Sequence, residues 1–305
     1  MFKKLLIPVE LGEEASSIVR FAKTLAGPGA QVRLLHVLVN ETTLFYADLL
    51  SREDFTKGVK QRFEDLKTEF HAPGSFEVEG EIRQGMTVSE CIAAEIETYD
   101  PDVVVMGSHG RRGLQRWLLG SDVQRVVRET TKPICMVKGE VKSSAALKHV
   151  ALATDFSATT RLATDRFLDL VRGSGAHGHI INVFESDPWF TVGHTVAVPG
   201  GGYSMPVVGK EVEARVQKRR EELREELEAL ATTSREGGLQ ITSKLLEGQA
   251  WELLAEYVER EKIELLVLGS HHYGGFDRLM LGSVAEKTLR AVGCPVLVVA
   301  SEDED

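Results

Sequence analysis

The sequence has few cysteines and no long apolar run, and these two absences narrow the classes of protein it can encode. Its 305 residues include three cysteines, at positions 91, 135 and 294, with no CxxC pair, so neither a disulfide scaffold nor a zinc ribbon is predicted. No apolar stretch approaches the roughly 18 residues that span a bilayer, and the apolar start before Glu10 is too short for a signal-peptide core. We therefore expect a cytoplasmic protein that does not bind membranes.

The chain has more acidic than basic residues, and it lacks the common catalytic motifs. The net charge is −10, which disfavours non-specific attraction to nucleic acid. The sequence has no GxxxxGK[ST] phosphate loop and no GxSxG nucleophile elbow, and no general base or nucleophile can be assigned. The GxGxxG match at Gly173–Gly178 precedes a predicted strand instead of following one, which indicates a connecting turn. No catalytic residue is therefore predicted.

Histidines are present, but their spacing does not predict a metal site. His271 and His272 are adjacent, and no third ligand is spaced to complete a set with them. His177 and His179 lie at the far end of a predicted strand, away from the glycine loops. We therefore predict no metal site from the sequence.

An internal repeat is the most informative feature of the chain. Gly107 and Gly269 are 162 residues apart, and the same offset relates Gly120 to Gly282, Ser121 to Ser283 and Pro133 to Pro295. Each half alternates five predicted strands with four predicted helices, which indicates an α/β fold with a five-stranded, doubly wound parallel sheet and helices on both faces. The predicted domains are residues 1–140 and 147–301.

The second half contains a segment of extra residues that has no counterpart in the first half. Residues 185–209 hold five glycines and three prolines beside aromatic residues, and they indicate either a surface excursion or a lid or partner surface. The following segment, Lys210–Leu230, is densely charged with apolar residues at helical spacing. It predicts a helix that covers the sheet and has a solvated outer face, with a short coiled-coil contact as the alternative.

The stretch from Val103 to Ser121 predicts an anion site. An apolar strand, Val103–Met106, is followed by glycines in the spacing G-x2-G-x9-G-S. Glycines let the backbone approach a ligand closely, and the free N–H groups of a helix N-terminus attract negative charge. Ser121 would cap that helix or donate to a phosphate oxygen. Arg111 and Arg112 would either reach the terminal phosphates or remain solvated.

These features together resemble a tandem member of the universal stress protein family. The resemblance covers both halves and is carried by the glycine loop, the paired ends KPICMVK and CPVLVVA, the strand LLHV, and ATDFS at Ala153–Ser157. It implies an adenine nucleotide alpha hydrolase-like fold whose halves pair through their last strands as a pseudo-dimer. It also implies that the loop holds the phosphates of ATP, ADP or AMP, with or without Mg²⁺. A protein partner and a homodimer of tandem chains are compatible with it.

By position, the resemblance implies two sets of site residues. The first-half set is Pro8, Val9, Glu10, Val37, Met106, Gly107, His109, Gly110, Arg111, Gly120, Ser121 and Asp122. The second-half set is Asp155, Val183, Gly269, His272, Gly282 and Ser283.

The two sets depart from the family pattern in different ways. Glu10 stands where the family usually has Asp, and Asp122 would either repel phosphate or help to hold Mg²⁺. His272 replaces the second loop glycine of the second half, where a side chain hinders close backbone approach. We therefore expect the first half to hold the main nucleotide site and the second site to be impaired.

The function that this predicts is a stress-response sensor or adaptor that binds ATP. Turnover would be little or none, and at most that of a slow ATPase, because a phosphate loop is present without an assignable base or nucleophile. The alternative is a binding scaffold that needs no nucleotide and takes a protein partner or an apolar ligand.

Overall fold

A computed structural model describes residues 1–12, 14–39, 52–70, 76–108, 121–139, 146–157, 160–185, 196–198, 202–204, 210–270 and 282–300. In the first half, strands and helices alternate along the chain. They are β1 (Phe2–Pro8), α1 (Ala15–Leu25), β2 (Ala26–Val39), α2 (Arg52–Phe70), β3 (Phe76–Gly85), α3 (Val88–Tyr99), β4 (Val103–Gly107), α4 (Ser121–Glu129) and β5 (Ile134–Val137).

The second half repeats this order with one insertion. Its elements are β6 (His149–Ala153), α5 (Arg161–Ser174), β7 (His177–Phe184), β8 (Val196–Val198), β9 (Gly202–Ser204), α6 (Lys210–Glu236), β10 (Ile241–Glu247), α7 (Ala250–Arg260), β11 (Leu265–Ser270), α8 (Ser283–Ala291) and β12 (Val296–Ala300). The predicted connecting turn is present, because Gly175 ends α5 in the left-handed conformation and β7 follows.

Ten of these strands form one sheet that runs through both halves. The order is β10-β7-β6-β11-β12-β5-β4-β1-β2-β3. Within each half the neighbouring strands are parallel, whereas the central pair, β5 and β12, is antiparallel and sets Met136 opposite Val296. The predicted doubly wound domains, paired through their last strands, are therefore confirmed.

Both faces of the sheet are covered by helices, which explains why its strands read as continuous apolar runs. Leu5 and Ile7 of β1 pack in a core layer with α1, α2, α5 and α6, whereas Leu6 packs in the opposite layer with α3, α4, α7 and α8. Alternate side chains of one strand thus enter different layers, as the pleat requires.

The junction between the halves has a polar contact on one side. Lys138, which follows β5, donates through Nζ to the carbonyl oxygens of Leu289 and Val292 at the end of α8, the latter at 3.1 Å. A cation at the C-terminus of a helix is favourable because the last carbonyl groups have no partner within the helix. Ala300 occupies the repeat position of Lys138, so the contact is made once.

Two features of the second half go beyond the sequence prediction. Strands β8 and β9 pair as an antiparallel hairpin within the extra segment, where no strand was predicted. Helix α6 runs to Glu236, beyond the predicted segment Lys210–Leu230. Ser234 and Arg235 make hydrogen bonds in its last turn, the latter donating to the carbonyl oxygen of Ile241 at 2.9 Å. Leu223 and Leu227 of α6 are buried, which confirms a sheet-covering helix with a solvated outer face.

None of the helices in the described ranges is long and apolar enough to cross a membrane.

Candidate functional site at the carboxyl edge of the sheet

In the first half the strand order reverses at β1, which makes this strand part of the topological switch point of a doubly wound sheet. Strand β1 pairs with β2 on one side and with β4 on the other, where Leu5 lies beside Val103 and Leu6 beside Val104. The loops that leave β1 and β4 therefore run to opposite sides. In open α/β sheets, ligands bind in the crevice outside the strand ends at such a switch point.

The described members of the first-half set lie at this edge. Val9 and Met106 are buried, Val37 and Gly107 are half-buried, and Glu10 is exposed beyond the end of β1. Pro8 ends β1 and is buried beside Leu35 of β2. The strand ends therefore carry apolar side chains on both faces of the sheet, Val9 in one core layer and Met106 and Val37 in the other, with Glu10 exposed beyond them.

The phosphate part of the predicted site is described at its two ends. Strand β4 ends at Gly107, which pairs with Val137, and the N–H of the buried Ser108 donates to the Val137 carbonyl oxygen at 2.9 Å. Helix α4 begins at Ser121, and Asp122 is half-buried in its first turn. Four residues of the predicted set lie outside the described residues: His109, Gly110, Arg111 and Gly120.

His36 is a positioning residue that the sequence analysis missed. It is buried in β2, and its Nδ1 lies 2.9 Å from the carbonyl oxygen of Val9. A carbonyl oxygen can only accept, so Nδ1 carries the proton. The N–H of Val9 also donates to the Leu35 carbonyl oxygen at 2.9 Å. The chain beyond β1 is thus held against β2 up to the residue that precedes Glu10.

The second half holds its first strand in the same way with a different residue. Asn182 of β7 donates through Nδ2 to the carbonyl oxygen of Thr154 at 2.8 Å, and the Thr154 N–H donates to the Ile181 carbonyl oxygen at 2.9 Å. Asn182 and His36 occupy the same place in LLHV and IINV. A polar residue inside an otherwise apolar buried strand was the available signal in the sequence.

Asp155 of the second set takes part in a local turn. Its Oδ1 accepts from the N–H of Ser157 at 3.0 Å and from the Ser157 hydroxyl at 2.6 Å, while Phe156 between them has φ 61°. One carboxylate oxygen is therefore engaged within the chain. The first half has no serine at the corresponding position, because Gly12 stands two residues after Glu10, as Ser157 does after Asp155.

The remaining second-half residues also lie at the carboxyl edge. Val183 of β7 and Gly269 of β11 are half-buried. Gly282 precedes α8, and its carbonyl oxygen accepts the N–H of Glu286 at 2.9 Å, while Ser283 is exposed at the start of the helix. His272 lies outside the described residues.

The structure also brings together residues that the sequence analysis kept apart. His149 begins β6, and His177 and His179 lie at the start of β7, so all three meet at the amino edge of the second-half sheet. Sequence spacing groups only the last two, because His149 precedes them by almost 30 residues on another strand. The pairing of β6 with β7, which sets His149 beside His177, could not be read from the sequence.

These observations define the chain as two doubly wound α/β domains in tandem, joined through their last strands, with the described members of the predicted site sets at the carboxyl edge of each half. The model of the universal stress protein family matches residues 1–138 and 146–300. The chain therefore belongs to the universal stress protein family.

Individual relatives agree with this assignment. A universal stress protein of Mycolicibacterium smegmatis is 24% identical over 304 residues, which cover 97% of this chain and 96% of the relative. Universal stress protein MJ0577 of Methanocaldococcus jannaschii is 28% identical over 158 residues, 45% of this chain and 96% of the relative. The crystal structure of a universal stress protein from Archaeoglobus fulgidus superposes with a TM-score of 0.65 at 18% identity, over 99% of this chain and 97% of that one, and shows the same fold.

Proposed function

We propose that this universal stress protein binds an adenine nucleotide at the carboxyl edge of its first half and acts as a sensor or adaptor. The observation that carries the proposal is the meeting of two strand ends at the switch point. Val9 and Met106 are buried at these strand ends, on opposite faces of the sheet, and Glu10 is exposed beyond β1. The adenosine would lie across these strand ends beside Val37, and the phosphates would follow the loop from Gly107 to Ser121.

The charge of the phosphates would be met by backbone groups. Helix α4 begins at Ser121, and the free N–H groups of its first turn suit an anion. Asp122 in the same turn opposes a bare phosphate at close range. A bound Mg²⁺ would reverse that effect, so we expect Mg²⁺ to strengthen ATP binding more than AMP binding.

The first half is the stronger candidate for two reasons. In the second half, one oxygen of Asp155 is already engaged by Ser157, and His272 replaces a loop glycine. In the first half, both loop glycines are present and His36 holds the chain next to Glu10. Because no base or nucleophile can be assigned at the first-half edge, we expect turnover to be little or none, and at most that of a slow ATPase.

Isothermal titration of the full chain, stripped of nucleotide, tests the proposal with ATP, ADP and AMP, each with and without Mg²⁺. We expect the double variant Gly110→Ala/Gly120→Ala to weaken ATP binding by about 10-fold or more, because added Cβ atoms hinder close backbone approach. The matched control is His272→Gly, which changes the equivalent loop of the second half and should leave the main site intact. Equal losses from the two variants would contradict the assignment to the first half.

Absence of heat with all three nucleotides would favour the scaffold instead. The observation that supports a scaffold is the exposed charged face of α6, a helix of 27 residues. Mass spectrometry of molecules that copurify with the chain would then distinguish an apolar ligand from a protein partner, and light scattering would show whether tandem chains form a homodimer.

A further inference from the structure

We propose that His149, His177 and His179 form a binding site for one divalent transition-metal ion of the zinc type at the amino edge of the second-half sheet. One ring nitrogen from each histidine falls into a group whose atoms all lie within 4.8 Å of one another. Because β5 and β12 are antiparallel, this edge lies on the same side of the ten-stranded sheet as the carboxyl edge of the first half. Strands β11, β12 and β5 separate β6 from β4, so the site shares no residue with the nucleotide site proposed above.

Strand register creates the cluster. His149 and His177 are register partners at the first positions of β6 and β7, and His179 follows two residues later on the same face of β7. The rings of His177 and His179 stack with centroids 4.7 Å apart, and the His149 ring lies 5.8 Å and 5.4 Å from them, respectively. The three imidazoles therefore project from backbone positions that the pairing of two adjacent strands fixes.

The distances between nitrogen atoms are close to those that a metal requires. Zinc–nitrogen bonds of about 2.0–2.1 Å at tetrahedral angles place two ligand nitrogens about 3.4 Å apart. His149 Nδ1 and His179 Nε2 are 3.2 Å apart. The widest pair in the group, at most 4.8 Å, would have to close by about 1.4 Å, which a side-chain rotation achieves.

Outer partners fix the ring orientation of two ligands. His179 Nδ1 lies 3.0 Å from the hydroxyl of the buried Tyr257, which leaves Nε2 directed at His149. His177 Nε2 lies 2.8 Å from the Thr242 hydroxyl, which leaves Nδ1 for the ion. Histidine ligands in metal sites characteristically bond an oxygen through their second nitrogen, and this bond sets the tautomer.

The protonation state favours metal binding as well. Burial lowers the pKa of His179 to about 4, with a smaller contribution from the neighbouring histidines, and burial also lowers the pKa of His177. Neutral imidazole is the form that binds a metal. The charge of Glu261 interacts with His149 and His179, and this carboxylate is paired with Arg260 at 2.9 Å. Water would complete the coordination of a bound ion.

The repeat shows that the histidines replace a different cluster on the same scaffold. In the first half, the positions of His149, His177 and His179 are occupied by the residues Lys4, Gln31 and Arg33. Arg33 bonds the buried Glu95, whose repeat position holds Tyr257, the partner of His179. The backbone support is kept, since Asp102 accepts from the N–H of Lys4 and Glu264 accepts from the N–H of His149. The change therefore concerns the side chains that meet at this edge, and it exchanges two cations and an amide for three imidazoles.

Titration of the chelator-dialysed full chain with Zn²⁺ alone tests the site. We expect one Zn²⁺ per chain, a rise in the melting temperature, and, with Co²⁺ instead, the strong visible absorption of tetrahedral coordination. His177→Gln, which introduces the first-half residue, should weaken Zn²⁺ binding by about 100-fold, and Tyr257→Phe should weaken it by about 10- to 100-fold through the outer partner. Circular dichroism of each variant checks that it folds.

Two controls separate this site from adventitious binding. His71→Gln removes a histidine outside the cluster and should leave Zn²⁺ affinity unchanged. The double variant His271→Gln/His272→Gln removes an adjacent pair in the chain and should also leave it unchanged. The proposal is overturned if no Zn²⁺ binds, if the cluster variants bind as the parent does, or if affinity is lost with the His271–His272 pair. In each of these cases the three histidines are a hydrogen-bonded polar cluster only.

Discussion

Replacement of Glu95 by glutamine should destabilise the first half of the chain by about 2–3 kcal/mol. Glu95 lies on α3, and its side chain is fully buried where this helix packs against β2 and β3. It is 2.7 Å from the Arg33 guanidinium of β2 and 2.5 Å from the Arg83 guanidinium of β3. One carboxylate therefore neutralises two arginines and fastens a helix to the outer strands of the sheet.

The expected loss of stability in Glu95→Gln follows from the loss of the charged partner of each arginine. Removal of one member of a fully buried ion pair costs about 3–5 kcal/mol, because a buried charge is left without a partner. The side chains of Arg33 and Arg83 remain 27% and 31% exposed and can regain water. Arg33 also keeps Glu79 at 2.6 Å, whereas the carboxylate that remains to Arg83, that of Glu81, is 3.9 Å away. The cost should therefore fall below the range for full burial.

Urea unfolding followed by circular dichroism measures the change, and hydrogen exchange in β2, β3 and α3 shows whether it arises in the first half. The matched control is Glu79→Gln, whose side chain is 57% exposed and should contribute no more than about 1 kcal/mol. The reasoning is refuted if the two variants lose equal stability, or if protection is lost first in the strands of the second half.

Three further predictions concern other parts of the fold. Lys138→Met should lower the free energy of unfolding, measured in urea, by about 1–2 kcal/mol, because the last carbonyl groups of α8 lose their donor. The control is Lys132→Met, which removes an exposed ion pair. Gly178→Ala should cost about 1–3 kcal/mol in the same assay, because its Cβ would lie 2.5 Å from Ile241 Cδ1 and 2.8 Å from Phe167 Cζ. Burial raises the pKa of Tyr99 to about 12. The stability that the protonated phenol contributes is therefore complete below pH 10 and is lost as the pH rises from about 10 to 12. An ultraviolet titration should show this late ionisation, and Tyr99→Phe should abolish it.

The fold could be predicted from the sequence because two independent signals agreed. The apolar runs at Val103–Met106 and Leu265–Leu268 are typical of strands buried on both faces, and the repeat showed that both halves share them. The strand ends that form the crevice followed from the topology rule, which places Glu10 and Gly107 at one edge. Short-range patterns and one rule of chain connection thus determine most of the architecture.

The parts that could not be predicted depend on contacts between residues that are distant in sequence. The histidine cluster needs the register of β6 against β7, which pairs His149 with His177, and no local pattern encodes that register. The role of His36 needs the position of the Val9 carbonyl oxygen on the neighbouring strand. The β8–β9 hairpin lies in the extra segment, where the repeat provides no template.

A comparison of the two halves shows which side chains the fold accepts at the amino edge of each half. Arg33 and the buried Glu95 form an ion pair in the first half, and the same two positions in the second half hold His179 and Tyr257, which are hydrogen-bonded. Loss of Arg33 alone would leave Glu95 paired with Arg83, whereas loss of Glu95 alone would take the buried carboxylate from both arginines. Glu95 is therefore the position on which the ionic cluster depends. Its replacement by Tyr257 in the second half accompanies the loss of that cluster, so one fold carries an ionic cluster in one half and an imidazole cluster in the other.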